Sequence, residues 1–187
     1  MPQLAMNTAA LVVVDMQNGF VNRHSAHIVP AVAGLAGQWL AKGRPVILTR
    51  YQNHPGSPFE RFFSWTRLRH PPETDLVPEL FDITFHARAV VTKPGYSLFT
   101  PQADQLIARE GWTDLVFCGI ATESCVLKSA ADAFERGFAP WIVTDACASD
   151  AGRAVHEAGL TVARRLIGPG GLITARTALT SPADHPH

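Results

Sequence analysis

Neither sign of charge is in excess in this chain: 16 Lys and Arg residues balance 16 Asp and Glu residues, for a formal net charge of zero. No basic block stands out, which argues against a general nucleic-acid binder and against docking on an anionic membrane surface. Long apolar runs are missing as well. The N-terminal run "AALVVV" reaches only six residues before Asp15, whereas a membrane span needs ~18 or more. No basic region precedes that run and no small-residue cleavage pattern follows it, so no export signal is read. Cysteine is scarce: Cys118, Cys125 and Cys147 are an odd set without the CxxC spacing of a metal site. A reduced, cytoplasmic protein is the expectation. Internal repeats, low-complexity tracts and linkers are absent too.

What is present is a globular composition, with 47% hydrophobic and 17% charged residues in a chain of 187, long enough for one sizeable core. A single domain over 1–187 is expected. Strand-like and helix-like stretches alternate. "AALVVVD", "PVILTR", "RAVVTK", "TDLVFCGI", "APWIVTDA" and a short piece of "LITART" read as six strands. Helices are expected around "VPAVAGLAGQWLAKG", over "PQADQLIAREG" with Pro at its start and Gly at its end, after Cys125, and around "GRAVHEAGLTVARRLIG". The stretch from Tyr51 to about Glu79 is irregular and rich in Pro and aromatics, with a short helix expected in "PFERFFSWTRL". Apolar strands alternating with helices predict an open parallel sheet of about six strands with helices on both faces, Rossmann-like.

In such sheets ligands bind beyond the carboxyl ends of the strands. Asp15, Lys93 and Cys125 all fall at such ends, and their chemistry is complementary. A thiol attacks as thiolate, and a free cysteine near pKa ~8.5 is mostly protonated at neutral pH. Thr122 reads as the N-cap of the helix that carries Cys125. The unpaired N–H groups of a first helical turn and a nearby lysine favour the anion, so the thiol is expected to be ionised. Asp15 has the right character to take the thiol proton and hand it to a leaving amine. The amides of Ala121 and Cys125 are candidates for holding an oxyanion. Cys118 and Cys147, in apolar strand contexts, read as packing residues.

The segments "VVVDMQNGF", "TKPGYSLFT" and "CGIATESCVLKSAADAFERGF…WIVTDACAS" together resemble the isochorismatase-like cysteine hydrolases, in order and spacing from Leu11 to about Ile167. The resemblance implies a catalytic triad of Asp15, Lys93 and Cys125, with a cis peptide between Ile120 and Ala121 that turns backbone amides toward the oxyanion. It also implies a homodimer or homotetramer, a small carboxamide, carbamoyl or ureido substrate, and no cofactor. Members that cleave the vinyl ether of isochorismate typically lack the cysteine, so C–N cleavage is favoured here. Metal-binding nicotinamidases of the family carry an Asp-x-His and a further His after the second strand. This chain reads "TRYQNHPGSPF" there, and His54 alone does not make a site; no metal is expected. The alternatives are an isochorismatase-like or nicotinamidase-like hydrolase and a catalytically idle ligand-binding member. A thiol redox protein is a third, disfavoured by the missing CxxC.

Among other candidates, Gln17 resembles a family position near the active site, with a turn-stabilising role equally open. Phe20, Tyr51, Trp65, Tyr96 and Phe99 lie in segments suited either to a pocket wall or to core packing. His24, His27, His54, His70 and His86 read as solvated, and His156 as structural. His185 and His187 close a Pro-containing tail.

Overall fold

Two strands whose every residue is apolar or buried set the centre of the molecule. The structure, a computed structural model, describes residues 3–180; the tail with His185 and His187 lies outside the described residues. After a 3-10 turn at Met6–Thr8, strand β1 (Ala9–Val14) is buried along its full length. A 3-10 turn (Ala26–Ile28) leads into α1 (Val29–Ala41), β2 (Val46–Tyr51) and the short α2 (Pro58–Phe63). Another 3-10 turn, Pro78–Leu80, precedes α3 (Phe81–His86), β3 (Ala89–Lys93) and α4 (Pro101–Glu110). Then come β4 (Asp114–Ile120), a π-helical turn (Thr122–Val126), α5 (Leu127–Glu135) and β5 (Ala139–Ala148). The order closes with α6 (Arg153–Leu166), a 3-10 turn at Pro169–Gly171, β6 (Leu172–Ile173) and α7 (Ala175–Thr180).

All six strands pair in parallel, in the order β3-β2-β1-β4-β5-β6. The expected α/β sheet is therefore present. β1 and β4 are buried throughout, because a parallel strand flanked by helices faces apolar side chains on both sides. Helices α3 and α7 pack with α1, while α5 packs with α6 and is tied to α4 by the Arg136–Asp104 ion pair at 2.7 Å. The sheet is thus covered on both faces. Chain order reverses between β1 and β4, which opens a crevice at their carboxyl ends.

Local chemistry explains the boundaries. Thr100 caps α4 by accepting from the Ala103 amide at 3.2 Å, Pro101 starts the helix, and Gly111 ends it at φ +69°, as its sequence predicts. The helix expected in "PFERFFSWTRL" stops at Phe63. There Ser64 turns left-handed (φ +55°) and the Ser64 and Trp65 amides bond back to Glu60 and Phe59. The final strand is the expected short piece of "LITART", and just past it the Thr174 hydroxyl caps α7, accepting from the Thr177 amide at 3.2 Å. β5 runs on to Ala148, so Cys147 lies within the strand rather than after it. Among the described residues no helix is long and apolar enough to cross a membrane.

One contact fixes how closely β1 and β4 approach beneath the crevice. Gly119 pairs with Val14 at φ +115°, and a Cβ there would lie 2.2 Å from the Val14 carbonyl oxygen. Neither atom belongs to a flexible side chain, so the strands themselves would have to part. Gly119→Ala is expected to destabilise the protein by about 3 kcal/mol. The urea midpoint, at unchanged m-value, measures this.

Candidate active site

The first strand ends by turning sharply, and that turn aims Asp15 into the crevice. Asp15 sits at φ +46°, a region where Asp is among the few non-glycine residues found. Thr49 of β2 holds it from both sides: its hydroxyl donates to Asp15 Oδ1 at 2.6 Å and accepts from the Asp15 amide at 3.1 Å. The other carboxylate oxygen, Oδ2, lies 2.7 Å from Lys93 Nζ, with both side chains fully buried. Lys93, at the end of β3, also donates to the carbonyls of Gly95 (2.9 Å) and Tyr96 (3.0 Å) and lies 3.4 Å from Cys125 Sγ. Asp15 is within hydrogen-bonding reach of the same thiol. Three residues from three strand ends therefore meet at one buried point.

Cys125 belongs to the π-helical turn after β4, and the Ile120–Ala121 peptide just before that turn is cis. Ser129, one helical turn on, donates to the Cys125 carbonyl at 2.7 Å and accepts from the Leu98 amide at 2.9 Å. That bridge joins the loop after Lys93 to the helix of Cys125. Thr122 is not the N-cap expected from sequence. The cap position is Ala121, without a side-chain bond, and the Thr122 hydroxyl instead lies 2.7 Å from His156 Nδ1 on α6.

The surroundings of the thiol differ from those expected of a helix start beside a lysine. Burial and the Asp15 carboxylate push the Cys125 thiol well up, and Lys93 only partly offsets them. Burial lowers the Lys93 ammonium, but Asp15 and Cys125 outweigh it and hold the lysine charged. Burial and Asp15 therefore work against a thiolate at this point, and Lys93 works for it. An N-terminal turn and one lysine favour a thiolate at a solvated site, but a carboxylate at the same buried point opposes it. Cys118 and Cys147 are pushed up by burial too, Cys147 to about 12. Of the three, Cys125 lines a pocket.

That pocket has a volume of about 310 Å³. Of the six candidates for the pocket, Phe20, Tyr51, Trp65 and Tyr96 line it. Phe20 and Trp65 stack at 6.2 Å and 16° between planes. Gln17 does not line it. Its amide nitrogen donates to the carbonyls of Tyr51 and Thr74 at 2.9 Å, and its oxygen accepts from the Tyr51 amide at 2.8 Å. It latches the β1 turn to β2 and to the 51–79 stretch, so its turn-stabilising role prevails. Phe99 turns the other way and stacks on Phe138 at 5.8 Å. Sequence reasoning missed Thr49, Phe59, Phe63, Ser124 and Asp150. A threonine directly after the apolar "VIL" was a readable signal for Thr49; the other four carry none.

A larger cavity, about 750 Å³, lies away from these residues and is lined by residues such as Arg44, His86 and Trp112; the chemistry points to the smaller one. Among the described residues no three His, Cys, Asp or Glu side chains cluster as metal ligands would. His54 bends onto its neighbour, with Nδ1 3.0 Å from the Pro55 carbonyl.

Comparison with known proteins gives a family and a fold. The isochorismatase domain model matches residues 9–176. Isochorismatase domain-containing protein 2 of Xenopus laevis is 26% identical over 152 residues, covering 79% of this chain and 63% of that protein. The chain thus spans just under two thirds of that relative's length. Ureidoacrylate amidohydrolase RutB of Methylobacterium radiotolerans is 30% identical over 194 residues, covering 82% of this chain and 72% of that one. Among solved structures, an isochorismatase-like hydrolase from Alkaliphilus metalliredigens superposes with a TM-score of 0.78 at 22% identity, covering 92% of this chain and 97% of that one.

The coupling of the three buried groups makes a signed prediction. Asp15→Asn removes the charge that raises the thiol, so the pH midpoint for iodoacetamide labelling of Cys125 should fall. Lys93→Met removes the opposing cation and should raise it. Peptide mapping by mass spectrometry follows the labelling, and Cys118 and Cys147 should stay unlabelled in the native protein.

Proposed function

The chain belongs to the isochorismatase domain family, and we propose that within it this protein is a cysteine-dependent hydrolase cleaving a C–N bond of a small carboxamide, carbamoyl or ureido compound. The observation that carries the reading is the meeting of a carboxylate, an ammonium and a thiol at one buried point, 2.7 Å and 3.4 Å from the shared Lys93 Nζ, on the wall of an aromatic pocket. The ureidoacrylate amidohydrolase among its relatives supports an amide or ureido substrate.

The buried carboxylate acts as a proton shuttle in this reading. Asp15 takes the thiol proton as the sulfur attacks the carbonyl carbon, so thiolate forms when needed rather than at rest. Lys93 balances the charge that moves from oxygen to sulfur. The carbonyl electrons move onto oxygen, which the amides of Ala121 and Cys125 hold. As the tetrahedral intermediate collapses, the C–N bond breaks and the amine leaves with the proton from Asp15, giving a thioester. Asp15 then deprotonates water, the hydroxide adds to the thioester carbonyl, and the C–S bond breaks. The thiolate recovers its proton from Asp15 as the acid departs. The high thiol pKa is compatible with this cycle, because the proton never leaves the pair for bulk solvent.

The proposal takes 1–187 as one hydrolase domain, cytoplasmic, with no cofactor. It also takes the protein as a homodimer or homotetramer. Support comes from apolar side chains left exposed beside the pocket and on α3: Phe62, Phe63, Phe81 and Phe85 are each at least two-thirds exposed, an arrangement that marks interaction surfaces.

Ammonia release from a panel of primary amides and ureido compounds should be detectable, and Cys125→Ser should lower kcat at least about a thousandfold, since a hydroxyl is far harder to ionise beside Asp15. Turnover should survive exhaustive chelation with EDTA; loss restored by a divalent ion would count against the reading. Light scattering should give a mass of two or four chains, and a 20.3 kDa species alone at working concentration would refute the assembly.

A further inference from the structure

Of the residues that line the catalytic pocket, Asp150 alone carries a formal charge. It lies just past the end of β5, the strand next to β4, and so faces the crevice from the side opposite Asp15 and Lys93. Its loop is pinned at three points. The Asn22 side chain donates to the Asp150 carbonyl at 2.9 Å, the Ala151 amide donates to Ser149 Oγ at 3.1 Å, and Ser149 Oγ donates to Glu123 at 2.8 Å. The carboxyl group is half-buried, and among the described residues no basic side chain forms an ion pair with it. Arg67 is near enough to act on it electrostatically, but its guanidinium binds Glu73 at 2.8 Å and the Gly19 carbonyl at 3.2 Å.

Around this carboxyl the walls are aromatic. Phe20 stacks on Trp65, and Tyr51 packs against both, at 6.2 and 5.8 Å between centroids. Ring faces attract cations, and the Tyr51 hydroxyl is buried without a hydrogen-bond partner among the described residues. Among the described residues no basic side chain lines the pocket to receive a substrate carboxylate. An anionic substrate would bring its charge, poorly hydrated, toward Asp150. A cationic one would gain a charge-assisted bond and ring contacts together.

We propose that Asp150 sets the specificity of this site, selecting small amides or ureas whose end remote from the scissile carbonyl carries a protonated amine, and rejecting those that end in a carboxylate. The proposal rests on the hydrolase reading above for its chemistry, though not for its binding preference. Burial already raises the Asp150 carboxyl above the ordinary Asp range, and a bound cation would offset that burial.

The test uses matched probes of one shape and three charges: 4-(aminomethyl)benzamide, 4-methylbenzamide and 4-carbamoylbenzoate, with the corresponding phenylureas. For the wild-type protein kcat/KM should fall from cation to neutral to anion, with about tenfold or more between the first and last. Asp150→Asn should collapse that ratio mainly through KM of the cation, and Asp150→Arg should invert it. Near-UV circular dichroism of Asp150→Asn reports whether the variant is folded. Equal rates for all three charges, an anion preference, or a ratio unmoved in Asp150→Asn would overturn the proposal. If no probe releases ammonia, the hydrolase reading fails separately. Calorimetric binding of the three probes to the unaltered protein then still decides the charge preference.

Discussion

A carboxylate and an ammonium held 2.7 Å apart with no exposed surface are the constraint on which the rest of this site depends. Removing both ions from water costs several kcal/mol each, and their attraction repays that only when the remaining donors and acceptors are satisfied. Thr49 satisfies the free side of Asp15, and the Gly95 and Tyr96 carbonyls satisfy Lys93. Such a pair adds little net stability compared with apolar packing, but losing either partner would strand a buried charge. The ends of β1, β2 and β3 are thereby committed to one geometry, and the thiol of the neighbouring turn inherits its electrostatics from it.

That inheritance decides how the cysteine works. At a solvated helix start, the amides and a lysine would depress a thiol pKa. Here dehydration strengthens every charge, and the nearest one besides Lys93 is negative. The outcome is a thiol pushed up by its burial and by Asp15, with Lys93 opposing them. The proton shuttle proposed above suits these surroundings better than a standing thiolate.

The pocket is built by a different logic. The stretch from 51 to 79 has almost no regular structure, yet it is held firmly. Gln17 ties it to β1 and β2, Asn53 Nδ2 donates to the Trp65 and Arg67 carbonyls, and Glu73 accepts from the Leu68 amide. Side-chain amides and carboxylates here replace the ladder hydrogen bonds that the segment lacks. Pinned this way, Tyr51, Phe59 and Trp65 become fixed walls of the pocket, which is lined by residues that no periodic pattern announces.

Much of this was legible in the sequence. Continuous apolar runs such as "AALVVV" and "LVFCGI" suit only strands buried on both faces, and Thr100, Pro101 and Gly111 delimit α4 because capping is local chemistry. The alternation of strands and helices placed Asp15, Lys93 and Cys125 at strand ends, and their motifs supplied the family. A boundary failed at the end of β5, which runs on to Ala148 past "APWIVTDA". The roles of Gln17 and Thr49, the place of Asp150 in the pocket and the electrostatic surroundings of Cys125 were decided by tertiary structure alone. They depend on distant partners, 32 residues apart for Lys93 and Cys125 and 128 for Asn22 and Asp150, since a hydrogen bond and a pKa are set by whatever stands within a few ångströms in space. Local sequence determines propensity and patterning. Dehydration, charge proximity and pocket shape exist only once distant strand ends have been brought together.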